Sequence, residues 1–450
     1  MLKLKSKQVA LFAGDTIIAS LALFLALTLR FFDTPPSERL AIHTQLFVPI
    51  YAMLVVMYYS FDFYDFSVFQ TKLKQLSRII NIHIFVALLG FGYFYLFASI
   101  TELTPKTVLV LYTAIHIILA ILWRVFIVPS VLNPVTRAKT LLIAEGEEYE
   151  ELKQTVNGHS FYPFYIADHL NLIPEDLASG NTLTQLKSIL EHNGISQVVV
   201  DIRDERVGEL LPYLYNLAAQ RKIHVFDAAL VYQDILKKMP MRGIGHFWFF
   251  ESVHLNIQAY EAAKRIIDIA VALPVLLLYI PFVPFIYLAI KLDDKGPLLS
   301  IQKRYGRGGK IVNIYKIRTM DFTDEGEWVT QNKNNKVTRV GAFLRKSRLD
   351  EFPQLINVLI GDVSLVGPRS DILANGGRLS AEIPYYMMRY TIVPGLSGWA
   401  QVNQELPPNS LEETKVRLQY DLYYVKNRSL LLDFIIMIKT FRVLVLRTGM

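Results

Sequence analysis

The chain has 450 residues, more than one ordinary domain holds; length alone suggests about three. An apolar fraction of 52% and a mean hydropathy of +0.30 exceed those of ordinary soluble proteins, so membrane segments are sought first. The absence of cysteine excludes disulfides, thiolate nucleophiles and Cys-based zinc sites, and the net charge of +7 lies beside apolar runs rather than in a nucleic-acid-binding tract.

Four apolar stretches come first, at residues 9–30, 42–62, 79–100 and 107–129, each near the ~20 residues a spanning helix needs. The leading MLKLKSK resembles the start of a signal peptide, but no small-residue cleavage site follows, and an uncleaved first span is expected. Lys3, Lys5 and Lys7 precede the first stretch, Lys72, Lys74 and Arg78 lie between the second and third, and Arg137 and Lys139 follow the fourth. The other loops carry fewer basic residues, which predicts a cytoplasmic N-terminus, four spans, and a cytoplasmic remainder after residue 130.

Residues 137–236 change texture. TLLIAE, FYPFYIAD, QVVVDI and KIHVFD read as short buried strands alternating with helical stretches, the pattern of a small doubly wound α/β domain. A dinucleotide would require G-x-G-x-x-G after the first strand; Ala144-Glu145-Gly146-Glu147-Glu148-Tyr149 stands there, with one glycine and acids that repel phosphate. A structural or regulatory role is expected of this domain. The aromatic and glycine-rich connector that follows has no assigned function.

The fifth apolar run, 262–290, is long enough to span but is interrupted by Pro274, Pro281 and Pro284. Its flanks are basic on both sides, with Lys264 and Arg265 before it and Lys291, Lys303, Arg304, Arg307 and Lys310 after it. Matched flanks predict a helix that enters one leaflet, breaks near Pro281 and returns; a true crossing is the alternative.

No histidine follows His254, so the C-terminal region has no imidazole base and no histidine-ligated zinc. Carboxylates, Lys, Arg and Tyr are left, and phosphate chemistry with Mg2+ is the natural use of them. The best carboxylate pair is Asp350-Glu351. Asp350 is expected at the N-cap of a helix with Pro353 in its first turn, and plain capping is the bland explanation. Arg345, Lys346 and Arg348 upstream, with Arg369 presented after Gly367-Pro368, point instead to an ionised carboxylate among cations that would take a diphosphate. A second basic segment places Lys316 and Arg318 on one face of a strand, which by itself is equally a solvated edge.

At these residues the sequence closely resembles the polyprenyl-phosphate hexose-1-phosphate transferases, monotopic phosphoglycosyl transferases that begin capsule, exopolysaccharide and O-antigen (lipopolysaccharide) repeat units. The match runs in order through KRIIDI, GPLLSIQKRYGRGG, YKIRTM, RLDEFPQLINVLIGDVSLVGPR, VPGLSGWAQVN and DLYYVKNRSLLLD. The resemblance implies a membrane protein of α plus α/β class: four transmembrane helices (1–136), a Rossmann-like domain (137–236), a connector (237–260) and a mostly helical catalytic domain (261–450) with a re-entrant helix. It implies that Asp350 attacks a UDP-sugar, releasing UMP, and that polyprenyl (undecaprenyl) phosphate then takes the sugar-phosphate from the aspartyl adduct. Glu351 would help hold Mg2+, Arg345 matches a catalytically important arginine, and Lys316, Arg318, Arg369, Asp421 and Arg304 fall in motifs that contact substrate or phosphate. Partners are the donor, the lipid acceptor and the bilayer, with no nucleic acid and with a homodimer left open. The place is the bacterial inner membrane, catalytic domain facing the cytoplasm. Glucose and galactose are the usual hexoses of the large family members, and of the two the resemblance leans to glucose.

The chain departs from the family pattern at Ile280, where Ser usually precedes the breaking proline, at Ser370, where Pro is common, and at Ser397, where Thr is usual. Ser410-Leu411-Glu412-Glu413 is a capping box that opens a helix carrying Asp421 and Tyr424. The apolar tail, broken by Asp433, is expected to lie on the membrane, with a sixth span as the alternative. Membrane-anchored nucleotide-sugar dehydratases share the layout of the first half, but no glycine-rich NAD-binding turn follows residue 255. A dead scaffold is disfavoured by the intact acid pair.

Overall fold

The computed structural model describes residues 2–61, 63–64, 72–96, 106–128, 137–159, 162–173, 181–243, 257–293, 296–320, 337–404 and 406–446. Most of the connector lies outside them. The chain divides into two compact units, Met1–Pro240 and Met241–Met450.

The first unit opens with four apolar helices, α1 (Leu2–Phe31), α2 (Ser37–Ser60), α3 (Lys72–Leu96) and α4 (Lys106–Ile121), the last continuing as a π-helical turn to Ile127. Each contains a segment long and apolar enough to cross a membrane. Their shared core includes Leu27, Phe47, Ile50, Leu54, Phe94 and Leu109. Outward-facing Leu21, Val48, Leu88 and Ile118 are exposed, as expected of helices whose other solvent is lipid.

Next comes a parallel sheet ordered β2-β1-β3-β4, built from β1 (Ala138–Ile143), β2 (Phe164–His169), β3 (Gln197–Val200) and β4 (His224–Asp227). Helices α5 (Glu147–Gly158) and α8 (Ala228–Leu236) cover one face through Leu152, Val156 and Tyr232. Helices α6 (Asn181–His192) and α7 (Leu211–Ala219) cover the other through Leu186 and Leu214. The near-continuous apolar runs of the central strands β1 and β3 follow from burial on both faces. The turn after β1 is closed by its own acid: Glu145 accepts from the Leu172 amide (2.7 Å) and from Arg206 (2.9 Å).

The second unit begins with a helix that breaks where the prolines predict. Helix α9 (Ile257–Tyr279) gives way to a 3-10 turn at Ile280–Phe282 and resumes as α10 (Val283–Asp293). Both limbs are fastened to the same body. Lys264 pairs with Asp433 (2.9 Å), Arg265 donates to the carbonyls of Val358 and Leu359, and Asp268 accepts from the Leu365 amide (3.0 Å). At the far end Asp293 accepts from the Val340 amide (2.9 Å), and Ile290 packs in one cluster with Leu344. The remaining surface of the pair is apolar and bare; Leu278, Phe285 and Leu292 are each more than 70% exposed.

On this base sit an antiparallel hairpin, β5 (Leu299–Tyr305) with β6 (Ile311–Ile317), and the helices α11 (Arg339–Ser347) and α12 (Gln354–Ile360). Beyond them lie β7 (Ser364–Val366), α13 (Leu373–Glu382), β8 (Gly395–Ser397) and α14 (Trp399–Asn403), with β7 and β8 paired in parallel. The closing helices are α15 (Leu411–Asn427), capped by Ser410 as expected, and α16 (Leu430–Leu446). The β7–β8 junction is a backbone-to-backbone contact: a Cβ on Gly395 would lie 2.0 Å from the Gly367 nitrogen. That is why the VGPR and PGLSGW segments carry glycine where they meet. Asp433, which interrupts the apolar tail, is buried against Lys264, Tyr260 and Tyr424.

Candidate active site

Helix α11 ends at Arg348, which adopts a left-handed conformation (φ 58°) and swings the chain into a 3-10 turn at Leu349–Glu351. This corrects the expectation for Asp350. The intervening turn moves the N-cap of α12 to Pro353, so Asp350 caps nothing, and its Oδ1 is buried without a hydrogen-bond partner. The turn is braced from the helix break: Tyr279 stacks on Phe352 (ring centroids 4.8 Å) and donates to the Leu349 carbonyl (3.1 Å).

Lys316, at the end of β6, reaches both acids, with Nζ 3.5 Å from Asp350 Oδ2 and 3.1 Å from Glu351 Oε1. Arg369 holds Glu351 from the other side at 2.8 Å and donates to the Leu396 carbonyl (3.3 Å). The two acids are thereby driven apart. Burial raises the Asp350 carboxyl above its usual range, with Lys316 opposing and Glu351 adding to the rise. Burial would raise Glu351 too, but Arg369 and Lys316 outweigh it and hold that carboxyl well below the usual range. Glu351 is the fixed anion. Asp350 is the less shielded, more basic oxygen donor.

The other expected residues divide. Arg304 comes from β5 and donates to the Ser370 carbonyl (3.0 Å) and Gln302 (2.9 Å). Burial, helped by the charge of Arg369, lowers it to about 10. Arg345 donates to the Thr319 hydroxyl at 2.8 Å, from the last turn of α11. Arg318 does not share the carboxylate face with Lys316. It lies past the end of β6 and donates to the Pro297 and Met320 carbonyls, both at 2.8 Å, so it fastens backbone. Asp421 is likewise no wall of the site: it is 1% exposed and paired with Arg389 at 2.7 Å.

That pair is part of a cluster the sequence did not reveal. Arg389 also pairs with Asp371 (2.8 Å) and donates to the Arg369 carbonyl (3.0 Å), while the hydroxyls of Tyr386 and Tyr390 donate to Asp371 at 2.7 Å each. The cluster fixes the backbone from which Arg369 projects. One signal for it existed: an arginine inside the aromatic run YYMMRY must find buried anions. Beside the acids opens a cavity of about 820 Å³, lined among others by Glu351, Arg304, Arg369, Arg417, Gln401 and Asn375. Its cations and its size suit a phosphorylated ligand, and Glu351 on its wall is the chain neighbour of Asp350.

Residues 259–447 match the family described as bacterial sugar transferase. A UDP-N-acetylgalactosamine-undecaprenyl-phosphate N-acetylgalactosaminephosphotransferase of Aeromonas hydrophila is 40% identical over 192 residues, covering 42% of this chain and 45% of its own length. A UDP-glucose:undecaprenyl-phosphate glucose-1-phosphate transferase of Escherichia coli is 41% identical over 180 residues, 39% of each chain. The matches thus span less than half of these two relatives. An exopolysaccharide production protein of Rhizobium leguminosarum bv. phaseoli is 40% identical over 184 residues, 39% of this chain but 92% of its own. The family match takes in the acid pair, its cations and the cavity, and the chain belongs to the bacterial sugar transferase family.

Proposed function

We propose that the chain transfers a sugar-1-phosphate from a UDP-sugar to undecaprenyl phosphate, releasing UMP, as the first step of a bacterial surface or secreted polysaccharide. The observation that carries this reading is the split acid pair: Asp350 with a free, buried oxygen beside Glu351, which Lys316 and Arg369 keep ionised. Asp350 attacks the sugar-bearing phosphorus and the bridging P–O bond breaks, its electron pair leaving with UMP. The acceptor phosphate then attacks the same phosphorus, and the P–O bond to Asp350 breaks to restore the carboxylate. No proton is gained or lost, which suits a site without histidine, and one phosphoanhydride replaces another, so no external energy is needed.

The adjacent carboxylates fit a hard cation such as Mg2+, which Glu351, with the unpartnered Oδ1 of Asp350 beside it, would hold. Among the described residues no cluster of three or more acidic or histidine side chains competes for it. When bound, the ion neutralises charge on the diphosphate. The chain's own cations do the rest: Lys316 and Arg369 hold Glu351, and the arginine-lined cavity receives the donor.

The broken helix supports a re-entrant reading. Both limbs attach to the body that carries Asp350, whose substrate is cytosolic, while the pair's outer surface is bare and apolar. The exposed Leu431, Phe434 and Phe441 of α16 support a helix lying on the membrane. The bilayer is then the inner membrane, with the site on its cytoplasmic side.

UMP release by the purified chain, given undecaprenyl phosphate and a panel of UDP-sugars, tests the proposal. Wild type is expected to release UMP with at least one donor, and Asp350→Asn to abolish it. Near-normal turnover by Asp350→Asn would remove the nucleophile from the scheme.

A further inference from the structure

The cavity wall holds more positive charge than its carboxylates use. Glu351 is taken by Arg369 (2.8 Å) and Lys316 (3.1 Å). Asp371 and Asp421 are taken by Arg389 at 2.8 and 2.7 Å, and Asp371 also by two tyrosine hydroxyls. Arg378 is taken by Glu382 (3.2 Å), and Arg304 and Arg417 stand outside these pairs. Both line the cavity, the Nε of each is buried without a hydrogen-bond partner, and among the described residues neither has a carboxylate within ion-pair distance. They come from distant parts of the chain, β5 and α15, and meet the same space. Burial lowers both guanidinium groups, with Arg369 adding to the effect on Arg304 and Arg389 to that on Arg417, and the more distant carboxylates of Glu351 and Asp371 for Arg304, and of Asp421 and Asp371 for Arg417, offset it only in part.

The proposed reaction says where such an anion appears. When the anhydride breaks, the bridging oxygen leaves with UMP, and a phosphate that carried one negative charge becomes a phosphomonoester carrying nearly two. Donors aimed at charge that develops during the step stabilise it most. In-line displacement adds a second requirement. UMP leaves from the position opposite Asp350, and the acceptor must attack from that same position, because the Asp350 oxygen is now the leaving group. The acceptor is also a phosphomonoester.

Resting on the donor and acceptor proposed above, we infer that Arg304 and Arg417 form one phosphomonoester subsite used twice, first by departing UMP and then by incoming polyprenyl phosphate. The pair reads the phosphate and neither the uridine nor the lipid. Lys316 and Arg369 serve the carboxylates, and this second pair serves the group opposite them.

The test uses the full chain in detergent, with UMP and uridine as probes in direct binding and polyprenyl phosphate in turnover. Wild type should bind UMP more tightly than uridine. Arg417→Met and Arg304→Met should each weaken UMP by about tenfold or more, the worth of a charge-assisted phosphate contact, leave uridine affinity as it was, and raise the KM for polyprenyl phosphate by a similar factor. An unchanged UMP affinity, or a loss for UMP with an unchanged lipid KM, overturns the shared subsite. Should a variant fail to fold, arginine-selective dicarbonyl modification of wild type decides. UMP and polyprenyl phosphate should each protect Arg417 while uridine does not, and failure of either phosphate to protect overturns the inference. A wild type that releases no UMP from any donor instead sinks the reading on which this rests.

Discussion

At the residue scale, the acid pair works because two adjacent carboxylates meet different surroundings. Glu351 spends its charge on Lys316 and Arg369, whereas Asp350 faces Lys316 at 3.5 Å and keeps one oxygen free. The opposite shifts have opposite linkage signs. Glu351, depressed in the fold, stabilises it above the ordinary glutamate range, and that contribution is lost as pH falls through its lowered value. Asp350, raised in the fold, opposes folding once pH passes the ordinary aspartate range, the cost of burying its carboxylate. Since the proposed attack needs the carboxylate, the burst of UMP in a single turnover should fall on acidification with a midpoint above the ordinary aspartate value of 3.8. Lys316 lowers that midpoint in wild type. Lys316→Met should therefore slow the burst and move its acid limb to higher pH. A slower burst with an unmoved limb would mean that Lys316 does not act on Asp350.

At the scale of elements, the broken helix is where sequence and structure speak most directly to each other. Pro281 lacks the amide a helix needs, and the 3-10 turn falls on Ile280–Phe282 even though Ile280 stands where a hydroxyl would otherwise help. The first limb is held by the Lys264–Asp433 ion pair, by Arg265 on carbonyls and by the Leu365 amide on Asp268, and the second by the Val340 amide on Asp293. Cys-free chains make such a geometry testable. Single cysteines at Ala262 and Leu292 should both escape an impermeant thiol reagent applied outside intact spheroplasts and both react after permeabilisation. Labelling of only one from outside would establish a crossing. The same comparison shows what the sequence could carry. Asp350, Glu351, Lys316 and Arg369 were legible because charged residues sit in short motifs beside a turn, and the α/β domain because apolar strands alternate with helices. Arg389 and Asp371 were not, because their partners arrive from helices and turns far apart in the chain, and Arg417 was not, because the cavity it lines is assembled from equally distant segments. Arg318 was misplaced for a local reason: a strand ending at Ile317 ends the alternation that put it beside Lys316.

At the scale of the whole molecule, every group assigned to the chemistry lies in the unit Met241–Met450, which has its own apolar clusters around Ala272, Ile314 and Val358 and around Tyr279, Ile286 and Leu344. The first unit closes its own crevice, since Glu145 and Arg206 fill the turn where a phosphate would sit in a nucleotide-binding domain. The Rhizobium relative matches over 92% of its length, so a protein made almost wholly of the shared region exists. These facts argue that the α/β domain and the four helices before it are not needed to form the site. A chain beginning at Met241, purified in detergent, should therefore release UMP with a rate within about threefold of the full chain and show the same Asp350 dependence, as expected of a domain with its own core. A folded fragment that binds UMP yet fails to turn over would show instead that the first unit contributes to catalysis.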